Sequence, residues 1–325
     1  MRSLITGVGG FAGSHLADCL LAQAGAAAEV WGCDLSVAHR PYLSSKITLL
    51  AADLRDPQAA RDVVEQSHPD HIYHLAGQAF VGDSWTHPWE TLETNLRAQV
   101  NLLEAIVASG LRPRVLVIGS ADEYGRVGIS STPIDENQPL LPDSPYGVSK
   151  VGQDFLGLQY FLSYALPAIR VRPFNHIGPR QSHKFVAAAF ASQIAAIEAG
   201  QQPPVMQVGN LEARRDFTDV RDTVRAYALL LEHGQAGEVY NIGSGASRRI
   251  RDLLDVLLSL ARTPIRVETD AARLRPNDLP DLVCDATRLR QATGWQPRFT
   301  FEQTLADLLN YERTLLATVP SPAGV

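Results

Sequence analysis

The sequence predicts an α/β fold: a doubly wound parallel sheet with helices on both faces, accompanied by a smaller mixed α/β domain. Three observations predict it. Short β-rich runs alternate with helix-period segments through the first half of the chain. Some of those runs, such as Val115-Leu116-Val117-Ile118, are apolar without a break, as strands covered on both faces are. After Pro173 the alternation stops and a different pattern begins.

In order, the strands expected in the first half are Ser3 to Thr6, Glu29 to Cys33, Ile47 to Leu50, His71 to Leu75, Val115 to Ile118 and Ala168 to Val171. Helix-period segments fall between them at Ala12 to Ala24, Pro57 to Gln66, Trp89 to Ser109 and Pro145 to Tyr164. Beyond Pro173 we expect a loop from Asn175 to His183 and a helix from Phe185 to Ala199. Val205 to Gly209 and Glu238 to Ile242 read as extended, and Val220 to Glu232, Ile250 to Ala261 and Phe301 to Thr314 as helical. The domain expectation is therefore residues 1–174 for the sheet, rejoined by about 216–245. Residues 175–215 and 246–315 form the substrate-binding part, and 316–325, rich in Pro, Gly and Ala, a flexible tail.

Composition bounds the function classes. The 325 residues are 45% hydrophobic and 20% charged, which excludes a disordered chain, a collagen-like repeat and a disulfide scaffold. A net charge of −6 leaves no basic footprint for nucleic acid. No stretch reaches the ~18 apolar residues of a membrane span, and the opening Met-Arg-Ser-Leu-Ile-Thr-Gly reads as a strand entering a glycine turn, not as a signal peptide. Cys19, Cys33 and Cys284 are too few and too scattered for a disulfide framework or a zinc site. The expected compartment is the cytoplasm. The basic residues are almost all arginine; only Lys46, Lys150 and Lys184 are lysines.

Thr6-Gly7-Val8-Gly9-Gly10-Phe11-Ala12-Gly13 lies between the first strand and the first helix. Glycines there allow a tight turn and bring backbone N–H groups to a pyrophosphate at a helix N-terminus, the signature of a Rossmann-type fold. Asp34 ends the second strand, where a carboxylate binds the adenosine ribose and repels a 2′-phosphate, so NAD(H) is favoured over NADP(H). Arg40 lies close enough in sequence to soften that preference, and NADP(H) stays open. Asp53 and Leu54 are expected at the adenine edge, although Asp53 has the alternative of capping the helix at Pro57. Leu75, Ala76 and Gly77 follow the fourth strand on the same edge of the sheet.

Tyr146 and Lys150 stand four residues apart in a helical pattern and so share one helix face. An ammonium beside a phenol stabilises tyrosinate, which allows the pair to move a proton while hydride moves. Ser120, ending the fifth strand, supplies a hydroxyl for the same substrate oxygen. Such a Tyr/Lys pair is commonly just a solvated helix face; the glycine turn upstream is what raises it to a candidate site.

Gly7, Gly10, Gly13, Asp34, Ser120, Tyr146 and Lys150 resemble the extended short-chain dehydrogenase/reductases that act on nucleotide sugars. Gly119-Ser120-Ala121-Asp122-Glu123-Tyr124-Gly125, Ser144 to Lys150, Phe174-Asn175-His176-Ile177-Gly178-Pro179, Val208 to Asp222 and Arg275-Pro276 resemble more narrowly the GDP-4-keto-6-deoxy-D-mannose reductases. The likeness runs from about Leu4 to Arg313. It implies NAD(P)H-dependent reduction of the C4 ketone of GDP-4-keto-6-deoxy-D-mannose to GDP-D-rhamnose. It further implies that Ser120 and Tyr146 bind the ketone oxygen, with Tyr146 as general acid and Lys150 lowering its pKa and holding the nicotinamide ribose. Asn175, Phe185 and Val186 would face the nucleotide and diphosphate, Arg215 and Arg275 would clamp them, Asp278 would orient Arg275, and Ser84 would touch substrate. One departure bears on cofactor choice: such reductases often carry Ser-Arg where this chain has Asp34-Leu35.

The related GDP-mannose 4,6-dehydratases, nucleotide-sugar dehydratases of other kinds and C4 epimerases share the fold and the Tyr/Lys pair. A dehydratase needs a further carboxylate, and Asp122 holds that position, on the same side as Ser120 if the strand continues. A protein that binds NAD(H) without catalysis is the remote alternative, opposed by the intact Ser120, Tyr146 and Lys150. No metal site is expected, because His71 and His74 fall on opposite faces of one strand. The resemblance also implies a homodimer built through a four-helix bundle by the helices Trp89 to Ser109 and Pro145 to Tyr164.

Overall fold

A computed structural model describes residues 1–24, 29–38, 40–126, 133–270 and 281–318. The first half runs β1 (Arg2–Thr6), α1 (Phe11–Ala24), β2 (Glu29–Asp34), β3 (Thr48–Ala51), α2 (Pro57–Ser67), β4 (His71–His74), α3 (Val81–Thr86), α4 (Pro88–Leu92), α5 (Ala98–Ser109), β5 (Arg114–Ile118), α6 (Pro145–Tyr164) and β6 (Ala168–Pro173). The second half runs β7 (Asn175–Ile177), α7 (Val186–Glu198), β8 (Val205–Val208), β9 (Arg214–Asp219), α8 (Val220–His233), β10 (Val239–Ile242), β11 (Ser247–Arg249), α9 (Ile250–Ser259), β12 (Arg266–Thr269), α10 (Thr287–Thr293) and α11 (Phe301–Thr318).

Seven strands form one sheet in the order β3-β2-β1-β4-β5-β6-β10, and every neighbouring pair is parallel. This is the doubly wound Rossmann-type order, with its direction reversal between β1 and β4. Alternation along the central strands splits the core between the two faces of the sheet. Leu4, Ile72, Val115 and Val117 join α2 and α5 on one face. Ile5, Tyr73 and Leu116 join α1 and α8 on the other. All seven are essentially fully buried, each worth about 1.5–3 kcal/mol against exposure. The strand ends beyond β1, β2, β4 and β5 therefore come to lie along one carboxyl edge.

Sequence-encoded caps set the helix that faces this edge. Ser144 accepts a hydrogen bond from the Gly147 N–H and Pro145 fills the first position of α6. The α2 cap is Asp56, whose carboxylate accepts from Gln58; Asp53 does not cap it.

The remaining strands form a three-stranded sheet, β11-β9-β7, and a parallel pair, β12-β8. Helices α7, α9 and α11 cover them around a separate core that includes Phe190, Met206, Leu254 and Leu308. Four expectations need correction. The loop from Asn175 begins as strand β7, because its backbone pairs with β9, and β9, β11 and β12 have no counterpart in the sequence reading. The helix expected over Trp89 to Ser109 is continuous in backbone but widens into a π turn at Glu93–Arg97. The chain beyond Ile118 does not continue as strand: Ala121–Glu123 is a 3₁₀ turn capped by Ser120. Helix α11 runs to Thr318, past the expected start of the tail, and 319–325 lie outside the described residues.

Candidate active site

The glycine turn closes directly on β2. Gly7 N–H donates to the Cys33 carbonyl at 2.7 Å, and Gly10 N–H to the Gly7 carbonyl at 3.0 Å. Gly7 adopts φ +71°, and an added Cβ would sit 2.9 Å from the backbone nitrogen of Ala76. At Gly13 an added Cβ would come within 2.2 Å of the Gly7 carbonyl oxygen. Only glycine permits helix and strand to pack this tightly. The first N–H groups of α1, at Phe11 and Ala12, have no partner within the helix and so offer an anion site. A cradle that a side chain would fill, at the point where strand order reverses, fits a dinucleotide pyrophosphate.

Asp34 sits beside the turn. Its carboxylate accepts the Gly9 N–H at 2.9 Å and the Leu35 N–H at 2.8 Å. Arg40 approaches it at 3.7 Å and also donates to the Gly9 carbonyl, which accepts the Tyr42 hydroxyl at 3.0 Å. Asp53 is tied to Arg55 by an ion pair of 2.6 Å, and Leu54 is buried in the core. Leu75, Ala76 and Gly77 follow β4, with Ala76 N–H donating to Thr6 Oγ1 at 3.1 Å. A Cβ at Gly77 would lie 2.8 Å from Asn95 Oδ1, so the chain passes closely there too.

Ser120, Tyr146 and Lys150 converge along the same edge. The Ser120 hydroxyl lies near enough to the Tyr146 phenol to act on it electrostatically. The same hydroxyl donates to Asp122 Oδ2 at 2.9 Å. That proximity survives the loss of the strand, because the 3₁₀ turn folds Asp122 back onto its own cap. Lys150 Nζ lies 5.8 Å from the Tyr146 ring centroid and donates to the Ile118 carbonyl at 3.0 Å and to Gln153 Oε1 at 2.8 Å.

Electrostatics correct the expected direction at Tyr146. Burial, followed by the Asp122 carboxylate, raises its pKa above the ordinary value, with the Ser120 hydroxyl acting the other way. The protein's own groups thus keep the phenol protonated. Burial pushes Lys150 down to about 8, opposed by the charge of Glu123. His74 faces Lys150 and is pushed down to about 3 by burial and that charge. Such an arrangement stores a proton on Tyr146 next to a hydroxyl that can hold the same acceptor oxygen.

The other expected contacts are spread around the cleft. Asn175 is exposed at the start of β7. Phe185, which precedes α7, meets Phe80 edge-on at 5.6 Å, and Val186 begins the helix. Arg215, half-buried on β9, donates to the Arg214 carbonyl at 2.6 Å. Ser84 is buried and its hydroxyl donates to the Val81 carbonyl at 2.7 Å. Arg275 and Asp278 lie outside the described residues.

Sequence reasoning missed Asn95. It is fully buried in the π turn, accepts the Gln78 N–H at 2.7 Å and donates to Ser149 Oγ at 2.8 Å, tying the loop after β4 to α6. Asn95 and Gln99, two amides four residues apart on one face of the helical pattern, were the signal. Glu123, Asp154 and Arg172, fully or almost fully buried behind Ser120, were missed as well. Two arginines alternating along an apolar strand marked them.

Comparison with known proteins extends the geometry. The model of the GDP-mannose 4,6 dehydratase family matches residues 4–308. GDP-6-deoxy-D-mannose reductase of Pseudomonas aeruginosa is 38% identical over 95% of this chain and 96% of its own. The solved structure of RMD from Pseudomonas aeruginosa complexed with NADPH superposes with a TM-score of 0.84 at 36% identity, over 97% of this chain and 100% of that one. UDP-glucose 4-epimerase from Thermus thermophilus in complex with NAD gives a TM-score of 0.85 at 28% identity, over 96% and 99%. Glycine cradle, Ser/Tyr/Lys cluster and these matches together place the chain in the GDP-mannose 4,6 dehydratase family, as an NAD(P)-dependent enzyme of the extended short-chain dehydrogenase/reductase type.

Proposed function

We propose that this protein reduces the C4 ketone of GDP-4-keto-6-deoxy-D-mannose to GDP-D-rhamnose. The observation that carries the reading is the gathering of buried Tyr146, Ser120 and Lys150 at the carboxyl edge of the sheet, with Lys150 Nζ 5.8 Å from the Tyr146 ring centroid. The reductase relative matched along nearly the whole chain supplies the substrate class. A bound reduced nicotinamide supplies the hydride. Ser120 and Tyr146 hold the ketone oxygen, and Tyr146 gives its phenolic proton to that oxygen as negative charge develops there. Lys150, an ammonium below pH 8, stabilises the phenolate left behind and reaches the nicotinamide ribose. Asn175, Phe185, Val186, Arg215 and Arg275 hold the GDP portion, with Asp278 orienting Arg275, within a substrate-binding part formed by 175–215 and 246–315.

NAD(H) is the favoured cofactor on the ground of Asp34, and Arg40, at 3.7 Å from it, keeps the preference small. The assembly we propose is a homodimer through α5 and α6. Val148, Phe155 and Leu162 recur every seven residues on α6 and are 48%, 52% and 71% exposed, an apolar stripe suited to a helix of a second copy. A monomeric mass by light scattering would remove that proposal. Among the described residues no helix is long and apolar enough to cross a membrane, and Cys19, Cys33 and Cys284 are free thiols, which accords with a cytoplasmic setting.

A second reading, GDP-mannose 4,6-dehydratase, is favoured by one observation: the Asp122 carboxylate lies 2.9 Å from Ser120 Oγ and bears on Tyr146. Supplying each nucleotide sugar separates the two. Net oxidation of NADH by the keto sugar supports the reductase, whereas turnover of GDP-mannose without net cofactor consumption supports the dehydratase.

A further inference from the structure

Behind the turn that carries Ser120 lies a set of buried charges that the proposed proton transfer does not use. Strand β6 is buried along its whole length, yet it carries Arg170 and Arg172. Two residues apart, they face the same side of the sheet and meet Asp154, one turn beyond Lys150 on α6. Arg172 Nε donates to Asp154 Oδ2 at 2.8 Å and to Glu123 Oε2 at 3.0 Å. The other oxygen of Glu123 accepts the backbone N–H of Ser120 at 2.8 Å. Arg172 also donates to the Tyr124 hydroxyl at 3.1 Å, and Tyr124 in turn to Asn241 Oδ1 at 2.7 Å. The Glu123 and Asp154 side chains are 0% exposed.

Two carboxyl groups meet two guanidiniums, with burial and then Asp154 raising the Glu123 pKa above its ordinary value, and well-packed apolar residues would make a core at least as stable. Stability alone therefore gives no reason for this arrangement. What the network does is join three pieces that carry separate parts of the chemistry: the Ser120 turn, the helix bearing Tyr146 and Lys150, and the central sheet. The chain also makes room for it. A Cβ at Gly119 would sit 2.1 Å from Glu123 Oε1.

We propose that Glu123 is a positioning residue: its carboxylate, braced by Arg172 and Asp154, fixes the Ser120 backbone against the helix that carries Tyr146 and Lys150. The proposal rests on the reading above for the roles of those three residues. Glu123 acts through the Ser120 N–H and does not touch the substrate.

The test compares Glu123→Gln and Arg172→Lys with the wild-type enzyme. The glutamine offers one acceptor oxygen to two donors, Ser120 N–H and Arg172 Nε–H, and the lysine cannot bridge both carboxylates in the same plane. The expected result is a fall in kcat of about 10–100-fold. KM for the keto sugar and Kd for NADH, the latter by fluorescence titration, should stay within about threefold, with cooperative melting retained. Wild-type kcat in either folded variant overturns the proposal. So does a parallel loss of kcat, cofactor affinity and melting temperature, or failure of both variants to fold, since each marks a structural role only. A wild-type enzyme that turns over GDP-mannose and not the keto sugar refutes the reductase reading instead, and the same comparison is then made on that reaction.

Discussion

The two ends of the cleft are built differently. At the cofactor end the work is done by backbone: Gly7 with its positive φ, Gly13 against the Gly7 carbonyl, and the open N–H groups at Phe11 and Ala12. At the chemistry end it is done by side chains buried from water, Tyr146, Lys150 and Glu123, whose protonation is set by one another and by burial. A backbone site tolerates change in charge but not in shape. A buried side-chain site responds to both. The contrast teaches that substitutions at the two ends should separate cleanly into binding effects and rate effects.

The largest expected effect breaks the chemistry end alone. Tyr146→Phe should lower kcat by about 10²–10⁴-fold, the usual worth of a general acid, while NADH binding measured by fluorescence is retained. Next, Gly13→Val should fail at the other end. Its side chain collides with the Gly7 carbonyl, and Kd for NADH should rise at least about tenfold as the helix N-terminus moves off the pyrophosphate position. A kcat loss with unchanged NADH affinity in that variant would contradict the comparison.

The pH profile sharpens it further. Burial lowers Lys150 to about 8, so its ammonium is present below that pH and is lost above it. Tyr146 is raised, so it stays protonated through the neutral range. The kcat should be flat near neutrality and fall about tenfold for each pH unit above 8, with no matching change in NADH affinity. The smallest effect concerns Asp34. Asp34→Asn should move the ratio of kcat/KM for NADPH over NADH upward by about three- to tenfold, limited because Arg40 already lies beside that carboxylate.

Much of this was legible in the sequence wherever one local pattern carries the information. Unbroken apolar runs such as Val115 to Ile118 announced the parallel sheet, and the glycine turn sat directly between its strand and helix. Tyr146 and Lys150 share a helix face, so spacing alone brought them together. What escaped depends on contacts distant in sequence. Asp122 was reasoned onto a strand, but the Ser120 cap turns the chain there. The short strands β9 and β11 exist because they pair with each other, not because their residues favour extension. The direction at Tyr146 follows from how deeply α6 is buried, and spacing carries no record of that. Glu123, Arg172 and Asp154 come from three elements, and each looks ordinary by itself.

The central claim is that the Ser120, Tyr146 and Lys150 cluster reduces a ketone at sugar C4. Its most direct test supplies GDP-4-keto-6-deoxy-D-mannose with NADH carrying deuterium at the transferable position and locates the label by NMR. The account predicts oxidation of one NADH per sugar and deuterium at C4 of GDP-D-rhamnose, both slowed about 10²–10⁴-fold in Tyr146→Phe. Cofactor that stays reduced, with no deuterium entering the sugar, would contradict it.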